Sequence, residues 1–138
     1  MTRLRAARKI SIYCPMSQET YAASLNGNLA SIEQDPAAAR LLAIIRGANA
    51  LGDFDLYQGV FELSFGLEGF TPTGKAQPTE GRSGEATLSP TAVITTYVDA
   101  NLGETELGEL IEQLARAHPW ELPVIEVSAA LQLLAGRN

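Results

Sequence analysis

From residue 9 to residue 14 the chain alternates in polarity. Ile10, Ile12 and Cys14 fall on one side and Ser11 and Tyr13 on the other, the period of a half-buried strand, which Pro15 ends. Ser17 then offers an N-cap to a helical stretch over 17–25, and Asn26-Gly27-Asn28 breaks it. Asp35-Pro36 reads as a second helix start, Asp as the cap and Pro at the first helical position. Leu41, Leu42, Ile44 and Ile45 supply that helix with an apolar face, and Gly47 is placed to stop it.

The middle of the chain changes period. Tyr57, Phe61, Leu63, Phe65 and Leu67 alternate with Gln58, Glu62 and Ser64, which predicts a strand over 57–67. Residues 66–86 contain Gly66, Gly69, Gly74, Gly81 and Gly84 with Pro72 and Pro78, too broken for a core element and long enough to suggest a functional loop. A β-branched and aromatic run over 91–98 predicts a third strand. Over 104–117, Leu107, Leu110, Ile111 and Leu114 form one stripe with Glu106, Glu109 and Glu112 outside it, an amphipathic helix. A short apolar strand follows over 123–127, and 128–138 is expected to be a tail or loose helix. The order strand, helix, strand, strand, helix, strand predicts an α+β ferredoxin-like βαββαβ sandwich, an antiparallel sheet with helices on one face. The expected division is a basic N-terminal arm over 1–8, one domain over 9–127 and the tail over 128–138.

Composition narrows the function classes. The chain has 138 residues, 46% of them hydrophobic and 19% charged, which suits one domain with a single core. No apolar run is long enough for a membrane span, and no secretory leader pattern is present. Arg3, Arg5, Arg8 and Lys9 lie in the first ten residues without any acid; the rest carries 6 basic and 16 acidic side chains, a net of −10. An acidic body repels phosphate backbones, so neither a nucleic-acid nor a membrane partner is expected, and the cytoplasm is the expected compartment. A lone cysteine, Cys14, excludes an internal disulfide and a multi-cysteine zinc site; a lone histidine, His118, excludes a multi-histidine cage within one chain. Residues 47–52 lack the spacing of a dinucleotide loop, and no nucleophile-base-orienter set is recognisable.

The remaining candidates each carry two readings. His118 can ligate a metal or move a proton, or it can sit at a helix C-terminus and bond the last carbonyls. Glu121 can complete a metal site or anchor the turn between Pro119 and Pro123 through backbone N–H groups. Asp53 and Asp55 flank Phe54; they can hold a hard cation together or form a turn with local backbone bonds. Cys14, at a strand end, reads as an inert buried thiol with a soft-metal role as the alternative.

The segment Ala117-His118-Pro119-Trp120-Glu121-Leu122-Pro123 resembles the His-Pro-aromatic-Glu-x-Pro signature of the CutA-type divalent-ion tolerance proteins. The same signature ends the YqfO-type domain inserted into the NGG-interacting-factor-like dinuclear-metal proteins. Gly47-Ala48-Asn49-Ala50-Leu51-Gly52-Asp53-Phe54-Asp55 is similar to that domain's Gly-rich turn, and Glu68-Gly69-Phe70-Thr71-Pro72 to its Gly-x-Phe-x-Pro element, with Gly84-Glu85 following. Trp120 stands where tyrosine is usual, and the stretch between Pro15 and Gly47 is longer than the family pattern.

The resemblance implies a homotrimer with clefts between subunits, and it implies none of the dinuclear-metal chemistry, whose domain and histidines are not in this sequence. One histidine per chain builds a metal site only by sharing ligands between subunits. The expected site therefore joins His118 and Glu121 of one chain to Asp53 and Asp55 of another, around zinc, copper(II) or manganese. Three readings follow: a trimeric module holding a divalent metal ion or small ligand, a structural or partner-docking module, and a weak or split enzyme using Glu121, His118 or Asp55 as general base.

Overall fold

The computed structural model describes residues 2–78 and 80–137, so Met1 of the expected arm, Thr79 of the Gly-rich loop and Asn138 of the expected tail lie outside it. Strand β1 (Thr2–Pro15) is the spine of the molecule. Its alternation buries Ile10, Ile12 and Cys14 completely, as period 2 requires of one sheet face. Helix α1 (Gln18–Leu25) and a 3-10 turn (Leu29–Gln34) follow, then helix α2 (Pro36–Gly47). Strands β2 (Glu62–Phe70) and β3 (Thr87–Asp99) form a long hairpin, helix α3 (Glu104–Ala117) returns, and β4 (Val124–Val127) and β5 (Leu131–Arg137) close the chain.

All pairings are antiparallel, in the order β2-β3-β1-β4, with β5 also on β1. That is the ferredoxin-like α+β arrangement. Leu41, Leu42 and Ile45 from α2 and Leu107 and Leu114 from α3 bury one face of the sheet against Ile10, Ile12, Ala92, Ile94 and Val98. The alternate residues Ser11, Tyr13, Val93 and Thr95 belong to the opposite face.

The stretch before Gly47 is helical, as its patterning suggested, and it is held by one buried carboxylate. Asp35 accepts from Ala37 N–H and Ala38 N–H at the start of α2, and its other oxygen accepts from Ser17 N–H at the start of α1. One side chain thus caps α2 and fixes where α1 begins.

Three expectations need correction. The basic arm over 1–8 is a strand from Thr2 onward, and residues 131–137 of the expected tail or loose helix form β5. The two pair with each other, Thr2 opposite Arg137 through Ala7 opposite Leu131. Neither has a strong strand signal alone, because arginines interrupt the one and Leu133-Leu134 breaks alternation in the other; each supplies the ladder the other lacks. Ser128 carries β1 across the gap between β4 and β5. Its hydroxyl accepts from Lys9 N–H at 2.7 Å and its N–H donates to Lys9 O at 2.9 Å, while Arg8 Nε reaches its carbonyl at 2.9 Å.

The third correction moves the strand expected over 57–67 to Glu62–Phe70. Tyr57 is 73% exposed in a loop. Gly52, Asp55 and Gly59 all have φ between 62° and 64°, a left-handed sequence of turns that no strand accommodates. At Gly52 this geometry is obligatory. Its N–H donates to Tyr97 O and its carbonyl accepts from Val60 N–H, and a Cβ there would collide with the Val60 backbone.

Candidate functional site

His118 ends α3 and turns its ring inward, where it is almost fully buried. Its Nε2 lies 2.6 Å from Tyr13 O, and Trp120 N–H approaches its Nδ1 at 3.1 Å. A carbonyl only accepts and a backbone N–H only donates, so the proton sits on Nε2 and the Nδ1 lone pair is already used. Burial holds the imidazole below its ordinary 6.5, against a smaller upward pull from the Tyr13 carbonyl. The ring of Trp120 packs at 5.0 Å from that of His118. As placed, His118 has no free lone pair for a metal. It ties the chain after α3 to β1.

Glu121, beside it, accepts a hydrogen bond from Gln77 N–H. Its carboxylate therefore anchors the Gly-rich loop rather than the turn between Pro119 and Pro123. Asp53 and Asp55 lie far from both. Asp53 Oδ1 accepts from Asp55 N–H at 2.9 Å, the local turn that was the alternative reading, and Asp53 O accepts from Arg5. Arg5 and Tyr13 are roughly 26 Å apart along β1 at about 3.3 Å per residue, so the aspartates and His118 mark opposite ends of that strand. Within the chain the four expected ligands do not meet. Among the described residues no group of three or more His, Cys, Asp or Glu is disposed to hold a metal. Cys14 is buried, its thiol is pushed up to about 12 mainly by burial, and its Sγ is 3.3 Å from Pro15 O. It is inert.

The concave part of the surface lies instead between the loop over 71–86 and the turn after α3. A pocket of about 460 Å³ is walled there by Phe70, Trp120 and Leu122, with Lys75, Glu80 and Glu68 around it. A smaller groove of about 370 Å³ lies over the uncovered sheet face, along Tyr13, Gly66, Thr91 and Val93, and shares Glu68 with it. Tyr13 O–H donates to Glu126 on that face, which raises the phenol above its ordinary value; burial and the nearby Glu126 and Glu68 charges add to this.

Glu68 is the residue that sequence reasoning missed. It faces Ser89 directly across the β2–β3 ladder, so both side chains stand on the uncovered face. Among the described residues, Glu68 Oε2 and Ser89 Oγ are the two buried side-chain polar atoms without a hydrogen-bond partner. Burial raises the Glu68 carboxyl above its ordinary 4.5. Its signal in the sequence was its place opening Glu68-Gly69-Phe70-Thr71-Pro72, a segment read there as part of the Gly-rich loop rather than the end of a strand.

No protein-family model matches this sequence, and no curated protein does. Among solved structures, a Bacillus cereus protein related to NIF3 is similar at a TM-score of 0.59 with 16% identity. The match covers 94% of this chain and 27% of that one, so the chain spans about a quarter of its neighbour's length. The likeness is one of fold. No helix among the described residues is long and apolar enough to cross a membrane.

Proposed function

We propose that this chain is a non-catalytic binding module that assembles as a homotrimer and holds a small ligand at the edge of its subunit contacts. The observation that carries this reading is the β2–β3 hairpin. Phe65 and Leu67 are 36% and 56% exposed on β2, a strand that pairs with β3 alone among the described strands, and Leu88 at the start of β3 is 69% exposed. An edge strand with exposed apolar side chains is an aggregation hazard unless a partner covers it, and a second copy in a closed ring does so without leaving a free edge.

The charge distribution supports a head-to-tail contact. Arg3, Arg5 and Arg8 lie toward one end of β1, where Glu104 is 3.6 Å from Arg8, while Glu68, Glu80 and Glu121 gather at the other. Opposite ends of neighbouring subunits then attract each other. A small ligand is preferred to a divalent metal because His118 would have to give up both of its backbone bonds to ligate one. The free, buried Cys14 is in keeping with a reducing cytoplasm.

The test is Leu67→Glu, read by light scattering and circular dichroism. The reading expects a folded protein of lower mass than wild type. A folded variant of unchanged mass overturns it.

A further inference from the structure

The turn after α3 builds the pocket beside it with three residues of one short motif. His118 accepts from Trp120 N–H at Nδ1, and its ring packs 5.0 Å from that of Trp120. The single tryptophan of the chain is therefore held in place before any ligand arrives. Glu121 accepts from Gln77 N–H and ties the Gly-rich loop to the same turn. Between these two ties Phe70 and Trp120 offer half-buried aromatic surface, and Pro78 and Leu122 extend it with aliphatic carbon.

The charged groups around the pocket supply no buried partner for an ion. Glu121 is engaged with the loop. Glu68 has one oxygen sealed inside the protein, and burial raises its carboxyl above 4.5, the mark of surroundings that penalise charge. Lys75 and Glu80 are exposed, opposite in sign and solvated. A charged molecule entering here would give up water without a matched counter-charge, whereas an uncharged one gains by burying its apolar surface. An aromatic ring also makes offset or edge contacts with Phe70 and Trp120 that a saturated ring of similar size lacks. At about 460 Å³ the pocket lies within the usual range for small-molecule sites.

We infer that this pocket binds a small uncharged aromatic molecule, its ring against Phe70 and Trp120, with His118 and Glu121 as positioning residues that hold the walls. The inference rests on the binding-module reading for the site's purpose and supplies the ligand class which that reading leaves open.

The probe is 2-phenylethanol, titrated calorimetrically into the full chain at neutral pH, with Trp120 fluorescence reporting the contact. Three analogues vary one feature each: 2-cyclohexylethanol removes the aromatic ring, phenylacetate adds a negative charge and phenethylamine a positive one. The aromatic alcohol is expected to bind about three- to tenfold more tightly than its saturated analogue and to change the Trp120 emission saturably. Both charged analogues should bind about tenfold more weakly than the alcohol. Phe70→Leu and Trp120→Leu, checked for folding by circular dichroism, should each remove the preference for the aromatic ring. Absence of saturable binding overturns the inference, as does a preference for the saturated ring or a charged analogue that binds as tightly as the alcohol. A ring preference that survives either substitution overturns it too. A segment of a neighbouring copy as the true occupant would appear as probe binding by Leu67→Glu alone and not by wild type, which also overturns it. Light scattering on the same samples separates the two proposals. A trimer that takes none of the probes contradicts this inference alone, and a monomer that binds 2-phenylethanol as expected contradicts the assembly alone.

Discussion

Tyr13 O and His118 Nε2 lie 2.6 Å apart, although 105 positions separate them in the chain. That bond, with the one from Trp120 N–H to the other ring nitrogen, makes the imidazole a neutral bridge between the C-terminal end of α3 and the C-terminal end of β1. His118→Ala leaves a buried carbonyl and a backbone N–H without their partner and opens space beside Trp120. The expected cost is about 2–4 kcal/mol in urea unfolding.

The same bridge makes stability pH-dependent. The folded state holds the imidazole below 6.5 while the unfolded chain titrates near it, so protonation favours the unfolded state. The His118 contribution is complete above about pH 6.5 and is lost as pH falls through the depressed folded value. Midpoints measured between pH 7.5 and 5 should decline in wild type and decline less in His118→Ala.

Glu68 has the opposite sign. Its carboxyl is raised by burial, so ionisation costs folded-state stability, and the cost grows as pH rises above the ordinary 4.5. Glu68→Gln is expected to raise stability at pH 7. The gain should vanish under acid conditions where wild-type Glu68 is protonated. A variant less stable than wild type at pH 7 would mean that Glu68 has a partner within the chain.

Cys14 has a buried thiol raised to about 12, so almost none is thiolate at neutral pH. A chromogenic disulfide reagent should leave the native chain unmodified at pH 7.5 and label one thiol per chain once the protein is unfolded. Rapid native labelling contradicts this placement.

Gly52→Ala tests the loop that displaced the expected strand. The substitution combines a φ of 64° with a Cβ against the Val60 backbone. It should cost about 2–4 kcal/mol, with β3 losing its partner at Tyr97. An alanine variant as stable as wild type would show that residues 52–60 do not take this path.

What the sequence made legible follows how local each signal was. Asp35-Pro36 announces a helix start with its own cap, and α2 begins there. The stripe of Leu107, Leu110, Ile111 and Leu114 is a complete helical period, and α3 occupies the stretch it marks. Residues 2–8 and 131–137 carried no such self-contained signal, because each is a strand only in the presence of the other. The loop at 52–60 was concealed for a related reason. Tyr57 and Phe61 fit a period of 2, and nothing local reveals that Asp55 takes a positive φ. At the site, His118 and Glu121 were found by residue type and motif, yet their partners, a carbonyl of β1 and an amide of the Gly-rich loop, are backbone groups that no side-chain pattern encodes. The pairing of Glu68 with Ser89 depends on the register of the β2–β3 hairpin, and a Gly-rich connection of uncertain length in the sequence does not set that register.

The central claim is that the exposed β2–β3 hairpin is covered by other copies of this chain. The most direct measurement is multi-angle light scattering on wild type at micromolar concentration in low salt, repeated at high salt. The account predicts a mass three times the 14.7 kDa of the chain, falling as salt screens the contact between the basic and acidic ends. A mass of 14.7 kDa at every concentration and salt level contradicts it.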